Sequence, residues 1–363
     1  MKTLNPASVG FFFVFIALKN KLFFSIFAPM QTHQHFMQRC IDIARNGLSL
    51  VMPNPSVGAV VVVGGQIVAE GVTSAYGGAH AEVNAINAVK DLSVLERATL
   101  YVSLEPCSHF GKTPPCADLV IKHKIPRVVV GCLDPNPKVA GAGIQRMEAS
   151  GIEVVINILE KECRESNKRF FCFHEKKRPY IILKWAQSCD GFIAPRIRNE
   201  QKPVFLTNQY SQQLVHKWRS QEMAILVGTK TVLDDNPTLT TRHYNGKNPV
   251  RIVLDADSKI LQTAAVFDNQ ANTIALNKRN LDFSGNVATQ ICKILLDNNL
   301  QSVIIEGGTK TIQTFIDENL WDEARVFSAK IQLFEGTKAP IFGVKFRDKI
   351  SILNDDLFFY ENL

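Results

Sequence analysis

GGAHAEVNAI (residues 77–86) and LEPCSHFGKTPPCADL (residues 104–119) govern how the rest of this chain is read. The first string carries His80 and Glu82, the second Cys107 and Cys116; 26 residues separate His80 from Cys107 and eight separate the cysteines. One imidazole and two thiolates make a ligand set that Zn²⁺ accepts while a fourth tetrahedral position stays open for water. Glu82, two places after the histidine, is a carboxylate placed to move protons beside such a metal without binding it. His80 falls at the predicted start of a helix. The cysteines flank a loop and the start of a second helix, and helix N-termini favour anionic thiolates. A lone His-x-Glu would carry little weight. With Pro106-Cys107 after a predicted strand and a second cysteine soon after, it points to zinc-assisted hydrolytic deamination of a nitrogen heterocycle.

Around these strings the pattern alternates. A helix is predicted from Phe36, with Phe36, Met37, Cys40, Ile41 and Ala44 at helical spacing and Gly47 as its stop. Val57–Val63, Gly64-Gly65 and Gln66–Glu70 read as a hairpin. Strands follow at Ala98–Leu104, Arg127–Gly131 and Glu153–Ile156, with helices near Pro115, at Ile144–Ala149 and on to about Phe170. His174–Pro179, charged and ending in proline, is the predicted linker. A second alternation begins at the strand Tyr180–Trp185. Helix Ser211–Arg219 comes next, then strands Ala224–Val227, Val250–Leu254, Thr273–Leu276 and Ser302–Ile305. Helix Thr309–Glu318 and strand Arg325–Ala329 complete it. The fold class is α/β in two domains, as 363 residues also suggest.

Composition narrows the function classes less than the motifs do. Hydrophobic residues make up 46% and charged residues 21%, ordinary for a globular protein. A net charge of +7 suits an anionic small molecule as well as RNA. A nucleic-acid deaminase would need a basic face with interleaved aromatics and a short cysteine spacing; neither is evident, so no nucleic-acid partner is expected. The other six cysteines (Cys40, Cys132, Cys163, Cys172, Cys189, Cys292) show no framework spacing and read as reduced, buried thiols of a cytoplasmic protein. Phe11–Leu18 and Leu22–Ala28 are apolar but far shorter than the ~20 residues a bilayer span requires. No small-x-small cleavage site follows them. Residues 1–29 are therefore expected to be an upstream-start or disordered extension, and no membrane partner is expected.

His80-Ala-Glu82 with Pro106-Cys107 resembles the cytidine-deaminase-like zinc deaminases, whose general signature keeps two residues between the cysteines. The longer loop here, together with Pro53-Asn-Pro-Ser-Val-Gly58 and Asp134-Pro-Asn-Pro137, is similar to the deaminase half of the bifunctional riboflavin-biosynthesis deaminase–reductases. The resemblance covers roughly residues 30–363. It implies a cytidine-deaminase-like α/β/α domain at 30–173 and a dihydrofolate-reductase-like α/β domain at 178–363 that uses NADPH. It also implies one Zn²⁺ on His80, Cys107 and Cys116, proton transfer by Glu82, and a phosphorylated diaminopyrimidinone substrate. Asn54, His109 and Lys112 would contact that substrate.

In the second half, Lys184–Gly191, Val227–Pro237, Arg251–Asp255 and Glu306–Thr311 resemble the reductase of the same family. No GxGxxG occurs there. Gly307-Gly308 after a strand would instead let the backbone approach a pyrophosphate at a helix N-terminus. By the resemblance Ala186, Phe205, Thr231, Asp235, Gly308, Thr309, Lys310, Thr311, Ile312, Gln313 and Thr314 are cofactor contacts. Arg219, Leu239, Arg242 and Glu306 are substrate contacts, the arginines suiting a ribose phosphate. The chain departs from the family at Cys189, a usual leucine; at Pro203, often a serine; and at Phe205, commonly a tryptophan. The departures at Pro203 and Phe205 are the sole support for a reductase half reduced to a scaffold. Assembly into a homo-oligomer through the reductase domain is a further implication.

Overall fold

Residues 32–110, 114–135 and 140–362 are described by a computed structural model of the chain. They form two compact units, one comprising Pro55–Asn167 and the residues up to Val51, the other Met52–Asn54 and Lys168–Leu363.

In the first unit, α1 (32–45) and the short α2 (Leu48–Val51) precede the hairpin β1 (Gly58–Val63) and β2 (Gln66–Val72). Gly64 and Gly65 both take positive φ, 57° and 79°, the backbone a two-residue hairpin turn requires. Helix α3 (Ala81–Asn87) leads to β3 (Thr99–Leu104), α4 (Cys116–Lys122) to β4 (Arg127–Cys132), and α5 (Ala142–Ala149) to β5 (Glu153–Val155). Helix α6 (Glu160–Ser166) closes the unit. The sheet runs β2-β1-β3-β4-β5, with β1 antiparallel to both neighbours and β3, β4 and β5 parallel. Its central strands are continuous apolar runs, Val60–Val61 and Val128–Val130 being fully buried, as a sheet covered on both faces demands.

Helix α7 (Lys168–Glu175), read from sequence as the end of the first domain, groups with the second unit, and its last turn occupies the start of the expected linker. Its anchors explain the placement. Arg169 is ion-paired with the buried Glu222, and Lys168 lies 3.2 Å from Glu323. Next come β6 (Tyr180–Ser188), β7 (Phe192–Pro195), α8 (Gln209–Gln221), β8 (Ala224–Gly228), α9 (Thr229–Asp235), β9 (Val250–Leu254), β10 (Thr273–Leu276) and α10 (Val287–Asp297). They are followed by β11 (Ser302–Glu306), α11 (Thr309–Asp317), β12 (Glu323–Ala329), β13 (Gly336–Lys338), β14 (Asp348–Ile352) and β15 (Asp355–Glu361). The main sheet runs β10-β9-β8-β11-β6-β12-β15-β14. All six strands from β10 to β12 are parallel, so their carboxyl ends share one edge; β15 and β14 are antiparallel additions. The core lies on the two faces of this sheet: Ile181, Leu183, Ile305 and Phe315 on one, Ile182, Ile304 and Phe327 on the other.

Of the six cysteines expected to be buried, five are; Cys189 is exposed, because it sits past the end of β6 in the turn to β7. All eight thiols are free. No helix among the described residues is long and apolar enough to cross a membrane. The apolar runs before Met30 lie outside the described residues.

Candidate functional site

In the first unit, two helix N-termini and one strand end converge. His80 is the N-cap of α3, Cys116 is the first residue of α4, and Cys107 lies just past β3. The Nδ1 of His80 lies 3.6 Å from the Sγ of Cys107 and 3.3 Å from the Sγ of Cys116. Bond lengths of ~2.3 Å to sulfur and ~2.0 Å to nitrogen, at a tetrahedral angle, put such ligand atoms about 3.6 Å apart. The donor set and its spacing therefore fit zinc. Among the described residues this trio is the one group of metal-ligating side chains gathered so closely. That the imidazole presents Nδ1 is a detail sequence could not supply.

The electrostatics are those of a thiolate site. A hydrogen bond from Cys116, with His80 adding to it against the cost of burial, holds the Cys107 thiol below the usual thiol value. Cys116 is pushed up, first by that bond to Cys107 and then by burial. The backbone N–H of Cys116 also donates to the Cys107 sulfur at 3.4 Å. Glu82, in the first turn of α3, is 4% exposed. Burial, and then the adjoining Cys107 charge, push its carboxyl up to about 7. A carboxyl held there can both accept and release a proton near neutrality.

Two of the other residues expected at this site are described. His109 is exposed in the loop after Cys107. Asn54 is half-buried in the stretch Met52–Asn54, which groups with the second unit. Lys112 lies outside the described residues.

In the second unit, the carboxyl edge of the parallel sheet gathers a charged cluster. Arg219, from the last turn of α8, forks onto Glu306 at the end of β11, at 2.7 and 3.4 Å. Its third nitrogen donates to the Thr240 carbonyl at 3.2 Å. That bond holds the loop bearing Leu239, whose φ is 56°, and Arg242, which donates to the Thr238 hydroxyl. Both side chains of the Arg219–Glu306 pair are nearly buried, at 12% and 10% exposure. Burial opposes ionisation of Glu306, but the charges of Arg219 and Lys184 outweigh it and hold the carboxyl at about 2.

Two members of this cluster were not singled out from sequence. Lys184 is the register partner of Glu306 across β6 and β11. Burial pulls its ammonium below the usual lysine value, with Glu306 opposing and Arg219 assisting. Its signal was the string Lys184–Gly191, but the pairing is invisible until β11 is set beside β6. His216 stacks edge-on against His243 at 4.7 Å; burial, then Arg219 and Arg242, push it down to about 4.

Beside the cluster, the turns after β8 and β11 interlock. Gly307 has φ +95°, and a Cβ there would lie 2.7 Å from the Thr231 hydroxyl. One on Gly228 would lie 2.5 Å from the Thr311 hydroxyl. Helix α11 has no side-chain cap at its N-cap residue, Gly308. With no side chain at Gly308 in the way, this helix N-terminus has the form that suits an anion such as a dinucleotide pyrophosphate. Gly308, Thr309, Lys310, Thr311 and Thr231 meet at this turn. Ile312 instead packs in the core, Gln313 bonds Ile341 and Asp317, and Thr314 bonds back to the Lys310 carbonyl. Asp235 is engaged by Arg198 at the end of α9, Ala186 is half-buried on β6, and Phe205 is 62% exposed.

Comparison with known proteins agrees with both halves. The cytidine and deoxycytidylate deaminase zinc-binding region matches residues 30–132, and the RibD C-terminal domain matches residues 179–347. The chain is 37% identical over 328 residues to the riboflavin biosynthesis protein RibD of Aquifex aeolicus, covering 86% of this chain and 91% of that one. It is 38% identical over 327 residues to RibD of Bacillus amyloliquefaciens, covering 85% and 86%. A crystal structure of a diaminohydroxyphosphoribosylaminopyrimidine deaminase/5-amino-6-(5-phosphoribosylamino)uracil reductase from Thermotoga maritima superposes with a TM-score of 0.82 at 34% identity, over 92% of this chain and 99% of that one. RibD of Acinetobacter baumannii does so with a TM-score of 0.82 at 29% identity and the same coverage.

Proposed function

The chain belongs to the RibD family of riboflavin-biosynthesis proteins, bifunctional deaminases and reductases, and on that premise we propose how its residues divide the work. The substrate of the first unit is 2,5-diamino-6-(5-phosphoribosylamino)pyrimidin-4-one, and the product is passed on for reduction of its ribosyl group to ribityl.

His80, Cys107 and Cys116 hold zinc, which when bound supplies the Lewis acidity that makes water a nucleophile near neutral pH. Glu82 takes one proton as water attacks the carbon bearing the 2-amino group and gives it to the ring nitrogen. It then takes the proton of the new hydroxyl and gives it to the amino group, which leaves as ammonia while the carbonyl forms. Its raised pKa suits both transfers. Asn54, His109 and Lys112 orient the substrate.

In the second unit NADPH supplies the hydride. The N-terminus of α11 and Thr231 hold its pyrophosphate; Ala186, Asp235 and Phe205 complete its contacts. Arg219 and Arg242 grip the substrate phosphate through charge-assisted hydrogen bonds, while Glu306 keeps Arg219 in place. A second copy of the chain docks on this unit, where Phe334, Ile341 and Phe346 are individually exposed apolar side chains available to such a partner. The enzyme works in the cytoplasm, where its free thiols stay reduced.

The observation that carries the reading is the His80 imidazole facing two sulfurs beside a buried Glu82. A staged assay tests it. Without NADPH the diaminopyrimidinone phosphate should yield ammonia and the deaminated ribosyl compound; with NADPH the ribityl product should appear. NADPH oxidation with no prior ammonia release would overturn it.

A further inference from the structure

Helix α5 touches both segments that carry the zinc sulfurs, and two side chains make the connection. Glu105, between β3 and Cys107, is a buried carboxylate. Its own N–H continues the strand ladder onto the Cys132 carbonyl at 3.0 Å. Its oxygens accept three backbone N–H groups: Asp134 at 3.3 Å, Gly141 at 3.0 Å and Gly143 at 3.1 Å. The N-cap of α5, Gly141, has no side chain to serve its first turn. Glu105 therefore caps α5 from another element, with its negative charge at the positive end of the helix dipole. The seat is close: a Cβ on Gly143 would fall 2.1 Å from the Pro106 carbonyl oxygen, immediately before Cys107.

One turn further on, Arg146 reaches the other side of the same centre. It donates to the Ser108 carbonyl at 3.4 Å, one residue after Cys107, and pairs with Asp118 at 2.7 Å, two residues after Cys116. The Cys107 carbonyl in turn accepts the Ala117 N–H at 3.1 Å. The backbone on both sides of Cys107, and the first turn of α4 that begins at Cys116, are thus tied to one rigid helix.

We propose that Glu105 and Arg146 are positioning residues that, through α5, set the spacing of the Cys107 and Cys116 sulfurs and so the affinity and geometry of the metal centre. Neither reaches a ligand atom; each acts on the backbone that carries one. Glu105 has the larger part, because losing its carboxylate takes the acceptor from three N–H groups, one at the N-cap of α5 and one in its first turn. Arg146 is half-exposed and its bond to Ser108 is long, so its part is smaller.

The inference rests on the zinc assignment to His80, Cys107 and Cys116, and the test separates the two. Glu105→Gln, Arg146→Gln and Arg146→Lys are compared in the full-length chain. Zinc affinity is read by competition with a chromophoric chelator, and ligand geometry by the sulfur-to-metal charge-transfer band of the cobalt-substituted proteins. Loss of a group that hydrogen-bonds a metal ligand directly weakens metal binding about 10- to 100-fold, and the triple backbone anchor of Glu105 is ranked with such groups. Glu105→Gln is expected to fall in that range with an altered cobalt spectrum. Arg146→Gln should lose less, and Arg146→Lys, which keeps the pair with Asp118, less still. Reductase activity on the deaminated substrate should not change. Wild-type affinity and spectrum in both Glu105→Gln and Arg146→Gln would overturn the positioning role while leaving the zinc site intact. If Glu105→Gln fails to fold, Arg146→Gln decides alone. A wild-type protein that binds no zinc would remove both.

Discussion

At the residue scale, the two units use buried carboxylates in opposite ways. Glu82 is buried with its proton exchangeable near neutrality; Glu306 is buried and kept ionised by its neighbours. Glu82→Gln keeps the shape and removes the proton carrier. General acid–base groups are typically worth 10²–10⁴-fold, so ammonia release should fall by about that factor. NADPH oxidation with the deaminated substrate should be unchanged, and unaltered ammonia release would refute the role given to Glu82. Arg219→Ala should be costly for a different reason: it takes away the hydrogen-bonded partner of buried Glu306 and leaves Lys184 alone to offset the charge, up to about 3–5 kcal/mol by analogy with other broken buried pairs. Arg219→Ala with Glu306→Gln should recover part of that loss in chemical denaturation, though not substrate affinity. A double variant no more stable than the single would mean the pair is not coupled as described.

At the element scale, the interlocked turns after β8 and β11 are the sensitive point. Gly307→Val adds a side chain where φ is +95° and the Thr231 hydroxyl already fills the space. NADPH binding, followed by nucleotide fluorescence, should weaken at least about tenfold, since both turns must shift. Unchanged affinity would move the cofactor elsewhere. These turns were readable in advance because Glu306-Gly-Gly308 follows a β-branched run, and the β1–β2 hairpin because Gly64-Gly65 interrupts one. Other elements were not foreseen. Strand β14 is an exposed edge, with Asp348 and Lys349 and no buried alternation, so no period-two signal exists. Helix α10 does carry helical spacing at Val287, Ala288, Ile291, Cys292 and Leu295, but its N-cap Asn286 makes no side-chain cap bond to mark where it starts. Lys184 escaped notice because its significance is a register, not a motif. The zinc trio was legible because metal ligation dictates residue types as well as places.

At the scale of the whole molecule, acid should destabilise the second unit. Burial opposes ionisation of both Glu306 and Glu323, yet neighbouring cations hold each carboxyl at about 2 against an ordinary 4.5. Between those values the unfolded chain binds protons that the folded one refuses, so stability present above about pH 4.5 is lost as pH falls toward 2. Urea midpoints for reductase loss should drop across that window, and a flat profile would contradict it. Removing zinc with a chelator should stop ammonia release while reduction of the deaminated substrate continues, because nothing in the Arg219–Glu306 cluster depends on the metal. The sheet order of the second unit bears on how the chain comes off the ribosome. Strand β6 pairs only with β11 and β12, so after Tyr180–Ser188 emerges it stays without partners until Ser302 and Glu323 have been made. Such long-range closure is slow and leaves apolar edges open meanwhile. Nascent chains stalled before Ser302 should therefore be the ones that chaperones retain, whereas the hairpin of the first unit can close as soon as Val72 is out.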